Sequence, residues 1–317
     1  MTTGCRWLHR LAMATLAATV FLVFAGGMVT STGSGLAVPD WPLSYGTLFP
    51  PMVGGIFYEH GHRLVAGTVA LLTAGLALLA WRVEPRRWVR RIALGAMATV
   101  LVQAGLGGLT VIFLLPVAVS VAHTAVANLF FCSIVALALV TGPGWRNAQP
   151  ATQRPGAGRL WLFTTVTVYV QVLLGALMRH SGAGLAIPDF PLAFGRLLPP
   201  FTTWPVMIHF AHRVGALAVL LTAAVAIVGT HRRHGDTVAM TPPAVSLALL
   251  LPVQVLLGAL TIWSAKNPLL TSVHVVVGTT VLGVCLWATL VAFRAAGHAQ
   301  PGQQILSPHA PLPQRAT

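Results

Sequence analysis

The segment Tyr58-Glu59-His60-Gly61-His62-Arg63 sets a carboxylate, two imidazoles and a guanidinium directly ahead of the apolar run Leu64 to Trp81. Imidazole can ligate a metal or relay a proton, a carboxylate can serve as acid or base, and guanidinium recognises carboxylates. Ionisable groups at the mouth of an apolar span are costly to keep, so they mark a functional site. The pattern returns as His209-Phe210-Ala211-His212-Arg213, again opening an apolar run. His123 and His274 lie near the starts of two further runs.

The chain that must position these groups has 317 residues, 56% hydrophobic and 8% charged, with a mean hydropathy of +0.80. A soluble chain would carry roughly 25% charged residues. The composition therefore predicts an all-α integral membrane protein. Eight apolar runs, at 11–30, 62–82, 92–112, 119–141, 160–179, 207–229, 244–264 and 271–294, each approach the ~20 residues that cross a bilayer. The first run follows Arg6 and Arg10 as a signal peptide would. Its length and the lack of a small-residue cleavage pattern make it a transmembrane helix instead.

The net charge of +14 sits in short clusters between runs, not along a basic face, which argues against nucleic acid. Arg6, Arg10, Arg82, Arg86, Arg87, Arg90, Arg91, Arg146, Arg154, Arg159, Arg232, Arg233, Arg294 and Arg315 fall on one side. Arg179, Arg196 and Lys266 fall on the other, with Arg63 and Arg213 at helix mouths. The positive-inside rule then puts both termini in the cytoplasm of a multi-pass inner-membrane protein. Cys5, Cys132 and Cys285 form no CxxC pair, and none lies in an external loop, so no disulfide framework is expected.

The sequence is internally duplicated. GSGLAVPDWPL at 33–43 returns as GAGLAIPDFPL at 182–192, and HRL at 62 as HRV at 212. QAGLGGLTV at 103 returns as QVLLGALTI at 254, and His123 as His274. Four runs per half leave both halves with one orientation. This predicts two tandem four-helix bundles related by a pseudo-twofold axis along the membrane normal. The expected divisions are 1–141, a cytoplasmic linker at 142–158, 159–294, and a disordered cytoplasmic tail at 295–317.

With the termini inside, His62, His123, His212 and His274 all lie near the outer ends of the second, fourth, sixth and eighth runs. Each half then offers two imidazoles from two helices at one depth, which a bis-imidazole haem demands. Zinc or copper would want a third or fourth ligand, for which only Glu59, His60 or His209 is near in sequence. A proton relay remains the other use of buried His and Glu. Glu59 aligns with His209, so only the first half carries an acid, three residues before its histidine. That acid can manage protons or charge beside a cofactor, or satisfy a helix N-terminus. Arg63 and Arg213 can pair with haem propionates or snorkel to headgroups. Gln103 and Gln254 suit interhelical hydrogen bonds, Asp40 and Asp189 suit turn caps, and His60 and His180 have no assigned role.

Taken together, GLAVPDWP, the segment EHGHR at 59–63, HFAHR at 209–213 and the His123 and His274 helices resemble the heme A synthase family, from about Leu11 to Arg294. The resemblance implies conversion of haem O to haem A, through two successive hydroxylations of the C8 methyl group to a formyl, for cytochrome oxidase biogenesis. It implies that His62 and His123 hold substrate haem O and that His212 and His274 hold a haem b. It also implies that Glu59 is the essential acid of the first outer loop. Implied partners are haem O, the haem O synthase that supplies it, a quinol or ferredoxin-like electron donor and the lipid bilayer, with self-association open. Many bacterial members carry a cysteine pair in the first outer loop; residues 31–61 here contain none. A di-haem electron-transfer protein without chemistry on haem is the alternative, and a proton-coupled transporter a third.

Overall fold

The computed structural model describes residues 3–147, 157–233 and 238–296. Eight long helices carry the chain: α1 (Thr3–Ser31), α2 (Gly54–Val83), α3 (Arg87–Ile112), α4 (Val117–Thr141), α6 (Ala157–His180), α7 (Trp204–Arg233), α8 (Thr241–Trp263) and α9 (Pro268–Ala296). A short α5 (Pro143–Asn147) follows α4. All eight long helices are apolar enough to cross a membrane, where only a helix satisfies its own backbone. The protein is an all-α, multi-pass membrane protein.

The helices begin earlier than the apolar runs. α1 starts at Thr3 and includes Arg6 and Arg10, and α2 starts at Gly54. A helix end outside the hydrocarbon needs no apolar residues, so hydropathy misses it. The segment 58–63 consequently lies within α2, not at its mouth. The expected linker at 142–158 opens with α5. Its residues 148–156, and residues 297–317 of the expected tail, lie outside the described residues.

In the first half α1 packs on α2, α2 on α3, α3 on α4, and α4 back on α1. In the second, α6 packs on α7 and α9, and α8 on α9, while α7 and α8 barely touch. Leu8, Leu76, Ile134 and Leu137 fill one core, and Trp161, Leu247, Leu282 and Ala288 the other. α1 and α4 meet α9, and α4 meets α6, along a seam of small and polar contacts. Gly283 lies against Phe131, Thr279 donates to Asn128 at 3.3 Å, and the Tyr169 hydroxyl donates to the Ala125 carbonyl at 3.2 Å. Small residues and side-chain hydrogen bonds are how helices associate when lipid removes the hydrophobic drive.

At the arginine-rich end Glu84 is fully buried and ion-paired to Arg86 and Arg146. Arg86 also donates to the Val140 carbonyl at 2.9 Å, tying the α2–α3 turn to the end of α4. Burial raises the Glu84 carboxyl pKa, but the hydrogen bonds and charge of Arg86, with Arg146, outweigh it and hold it below the ordinary 4.5. These arginines are structural as well as topological.

At the opposite end, the loops 32–53 and 181–203 share one local structure. Asp40 accepts the backbone N–H groups of Tyr45 and Gly46 at 2.6 and 2.8 Å. Asp189 accepts those of Phe194 and Gly195 at 2.7 and 2.8 Å. The N–H of Gly46 in one loop, and of Gly195 in the other, is the main cause that pulls each carboxyl below 3.8. Both aspartates cap their turns, and Gly46 and Gly195 supply the left-handed backbone there (φ 70° and 72°).

Candidate functional site

Each of the four repeat-matched histidines sits one to three turns into its helix, with Cε1 of its ring against a glycine of the neighbouring helix. A Cβ at Gly26 (α1) would lie 3.0 Å from Cε1 of His62 (α2), and at Gly107 (α3) 3.3 Å from Cε1 of His123 (α4). A Cβ at Gly175 (α6) would lie 2.8 Å from Cε1 of His212 (α7), and at Gly258 (α8) 3.2 Å from Cε1 of His274 (α9). A side chain larger than hydrogen would push the ring out of place. His62 and His123 lie within electrostatic reach of one another, as do His212 and His274.

The Nδ1 atoms of His62, His123 and His274 are buried without a hydrogen-bond partner. Among the described residues no three or more His, Cys, Asp or Glu side chains come together as a metal-binding group. Two imidazoles per half fall short of a tetrahedral zinc set and match the axial set of a haem. The glycine backing is the cradle that a flat ring, pressed between a helix and a macrocycle, would need. The residues present fit a bis-histidine haem in each half.

The surroundings of the two pairs differ. Glu59 is 4% exposed; its Oε2 accepts from the Val38 N–H at 2.8 Å, and its Oε1 from Nη2 of Arg63 at 2.6 Å. In the second half His209 takes the same position: its Nδ1 accepts from the Ile187 N–H at 3.2 Å. Ile187 is the repeat counterpart of Val38. Glu59 thus latches the loop as His209 does, and adds an ion pair that the second half lacks. It does not act as a simple helix N-cap, because α2 begins at Gly54.

Arg63 donates to the carbonyls of Asp40 and Leu43, both at 2.7 Å, and of Val38 at 3.3 Å. Arg213 donates to Asp189 at 2.6 Å, Leu192 at 2.7 Å and Ile187 at 3.3 Å. Both guanidiniums hold the loops through carbonyls, and Nε of Arg213 is buried without a partner. Trp41 completes the first roof by lying over α3, where a Cβ at Gly108 would come within 2.7 Å of its indole. In the second half Phe190 packs on Trp263 at 6.3 Å.

His60 hydrogen-bonds Ser44 Oγ through Nδ1 at 2.8 Å, while its Nε2 is buried without a partner. The matching second-half residues are Phe210 and Ala193, so this pair too belongs to one half. At the seam Arg179 donates to the Gly27 carbonyl at 2.8 Å and to Ser31 Oγ at 2.7 Å, beside His180. Gln171 escaped the sequence reading. Its Nε2 donates to the His212 carbonyl at 2.7 Å and lies 3.1 Å from His212 Nδ1. The signal was present, because QVLLGAL occurs twice, at 171–177 and 254–260.

Fold and side chains together define a multi-pass helical membrane protein with two glycine-backed pairs of imidazoles, one of them beside a buried ion pair. The chain matches the COX15-CtaA family, described as a cytochrome oxidase assembly protein, over residues 9–54 and 54–286, and it belongs to that family. It is 34% identical to the Heme A synthase of Symbiobacterium thermophilum over 226 residues, 68% of this chain and 72% of that one. It is 28% identical to the Heme A synthase of Geobacillus thermodenitrificans over 301 residues, 93% of each chain. With the Heme A synthase of Staphylococcus haemolyticus the identity is 26% over 295 residues, 91% of this chain and 95% of that one.

Proposed function

We propose that the protein is a heme A synthase, an oxidoreductase that carries the C8 methyl group of haem O through two hydroxylations to the formyl of haem A. The observation that carries this reading is the pair of glycine-backed imidazole stations, with an acid beside only one, in a chain of this family. In this reading residues 1–141 are the catalytic half, where His62 and His123 hold the iron of substrate haem O. Residues 159–294 are the second half, where His212 and His274 hold a haem b. When bound, haem b supplies a one-electron relay.

The protein's own residues bind, orient and exclude water. Arg63 and Glu59 hold the 32–53 loop down on α2, and Trp41 holds it on α3, so the first station is roofed. A roofed site strengthens every charge inside it and keeps water from a reactive intermediate. Glu59 lies three residues before His62 in α2 and shares its helix face. Its carboxylate is the group placed to hold or accept a proton at the reacting methyl, and the second half, with His209, has no such acid. Arg63 and Arg213 anchor the loops and are the residues that would pair with haem propionates. The arginine-rich end, with both termini, faces the cytoplasm of the cell membrane. The haem O synthase supplies substrate, and a quinol or ferredoxin-like donor supplies electrons.

The test is to purify the protein from cells that make haem O and to chromatograph its extracted haems. Haem B together with haem O or haem A is expected. Haem B alone would instead support a di-haem electron-transfer protein, and protein without haem would sink both readings.

A further inference from the structure

Of the four stations, three share one design: a glutamine four residues before the glycine that backs the histidine. These are Gln103 with Gly107, Gln171 with Gly175, and Gln254 with Gly258. The exception is α1, where Leu22 precedes Gly26. The space for the Gln171 amide is built as well: a Cβ at Gly215 would lie 2.1 Å from its Oε1, so the side chain fits only because residue 215 is glycine. The first-half counterparts of Gly215 and Gln171 are Val65 and Leu22. Amide and socket are both present at His212 and both absent at His62.

We infer that Gln171, seated against Gly215, is a positioning residue that fixes His212, a contact that His62 lacks because Leu22 and Val65 stand at the matching positions. This rests on the proposed assignment of haem b to the second half, and it gives that assignment a physical cause. A haem whose ligating ring is held in one orientation by a buried neighbouring side chain is retained, because such outer contacts set ring orientation. A haem that must enter as substrate and leave as product needs a ring that is not held. Nε2 of Gln171 donates to the His212 carbonyl at 2.7 Å and lies 3.1 Å from His212 Nδ1, so the amide is tied to the backbone of the residue whose ring it contacts. Nδ1 of His62, like that of His123 and His274, has no hydrogen-bond partner.

The experiment follows haem transfer from detergent-solubilised holoprotein to excess apomyoglobin, with the haem that remains identified by chromatography. Gln171→Leu is expected to speed loss of haem B about tenfold, within the usual effect of removing an outer partner, while the first-half haem leaves at the wild-type rate. Gly215→Ala, which evicts the amide without touching it, should do the same if Gln171→Leu fails to fold. The transplant Leu22→Gln with Val65→Gly should slow release of haem O by a similar factor. Unchanged haem B transfer in both Gln171→Leu and Gly215→Ala overturns the inference. Wild-type protein lacking haem B would overturn the haem b assignment as well, so the two failures are distinguishable.

Discussion

The glycine cradles make a graded prediction. Ordinary van der Waals contact begins at 3.4 Å, so an alanine at Gly175, whose Cβ would lie at 2.8 Å, must push the His212 ring back by at least about 0.6 Å. The same comparison gives about 0.4 Å at Gly26, about 0.2 Å at Gly258 and about 0.1 Å at Gly107. Ligand distances tolerate roughly 0.2 Å before a metal site is compromised. Gly175→Ala and Gly26→Ala should therefore lose the haem of their station, Gly258→Ala should weaken it, and Gly107→Ala should keep it. Unfolding does not explain such a loss, because alanine is favoured over glycine inside a helix by about 1 kcal/mol. Gly67 in α2 and Gly95 in α3, whose Cβ would meet nothing within 4 Å, are the matched controls. Haem per polypeptide from the pyridine haemochrome, read beside the thermal midpoint, gives the answer. Full haem in Gly175→Ala, or equal loss in Gly67→Ala, would refute the cradle.

Glu59→Ala should retain both haems and accumulate haem O or a hydroxylated intermediate; haem A output at the wild-type level would remove Glu59 from the mechanism. Acid should release the two capped loops. Asp40 and Asp189 have carboxyls depressed below 3.8 by their turns, so their contribution is present above that pH and is lost as pH falls through the folded values. Trp41 fluorescence should report the opening, and Asp40→Ala should abolish its acid dependence while leaving Asp189 to act alone. Glu84→Gln should destabilise the protein by about 3 kcal/mol, as breaking one side of a buried ion pair does, seen as a lower denaturation midpoint with haem content intact.

Much of this was legible in the sequence because membranes restrict the choices. Eight apolar runs could only become helices, and the spacing from His62 to His212 and from His123 to His274 follows from the duplication. Helix starts were not legible, because Thr3–Arg10 and Gly54–Gly61 carry no hydropathy signal yet continue the helix. The arginines were legible as charges but not as contacts. A guanidinium serves a carbonyl, a propionate or a phosphate equally well, and only the folded loop shows that Arg63 and Arg213 take carbonyls. The latch from Val38 to Glu59 was hidden for a related reason. Its second-half equivalent, Ile187 to His209, replaces a carboxylate with an imidazole, and the sequence shows a difference where the structure keeps a shared contact.

Four differences between the halves cluster near one pair of matched histidines. Glu59 against His209, the Ser44–His60 pair against Ala193 and Phe210, Leu22 against Gln171 and Val65 against Gly215 all surround His62 or His212. Around His123 and His274 the glutamine and backing glycine are kept in both halves, although Gly105, Gly108, Thr124 and Ala127 give way to Leu256, Ala259, Val275 and Gly278. A duplicated bundle with one shared task would diverge evenly about both of its ligands. The shared glutamine and glycine point to a common grip through α4 and α9, and the exchanges on the α1–α2 and α6–α7 side to a division of labour at the opposite ring. On that side the first half replaces an amide clamp with apolar side chains and adds a carboxylate. A substrate station needs both changes, release of the ring and an acid near the reacting carbon, and neither suits a station that only passes electrons.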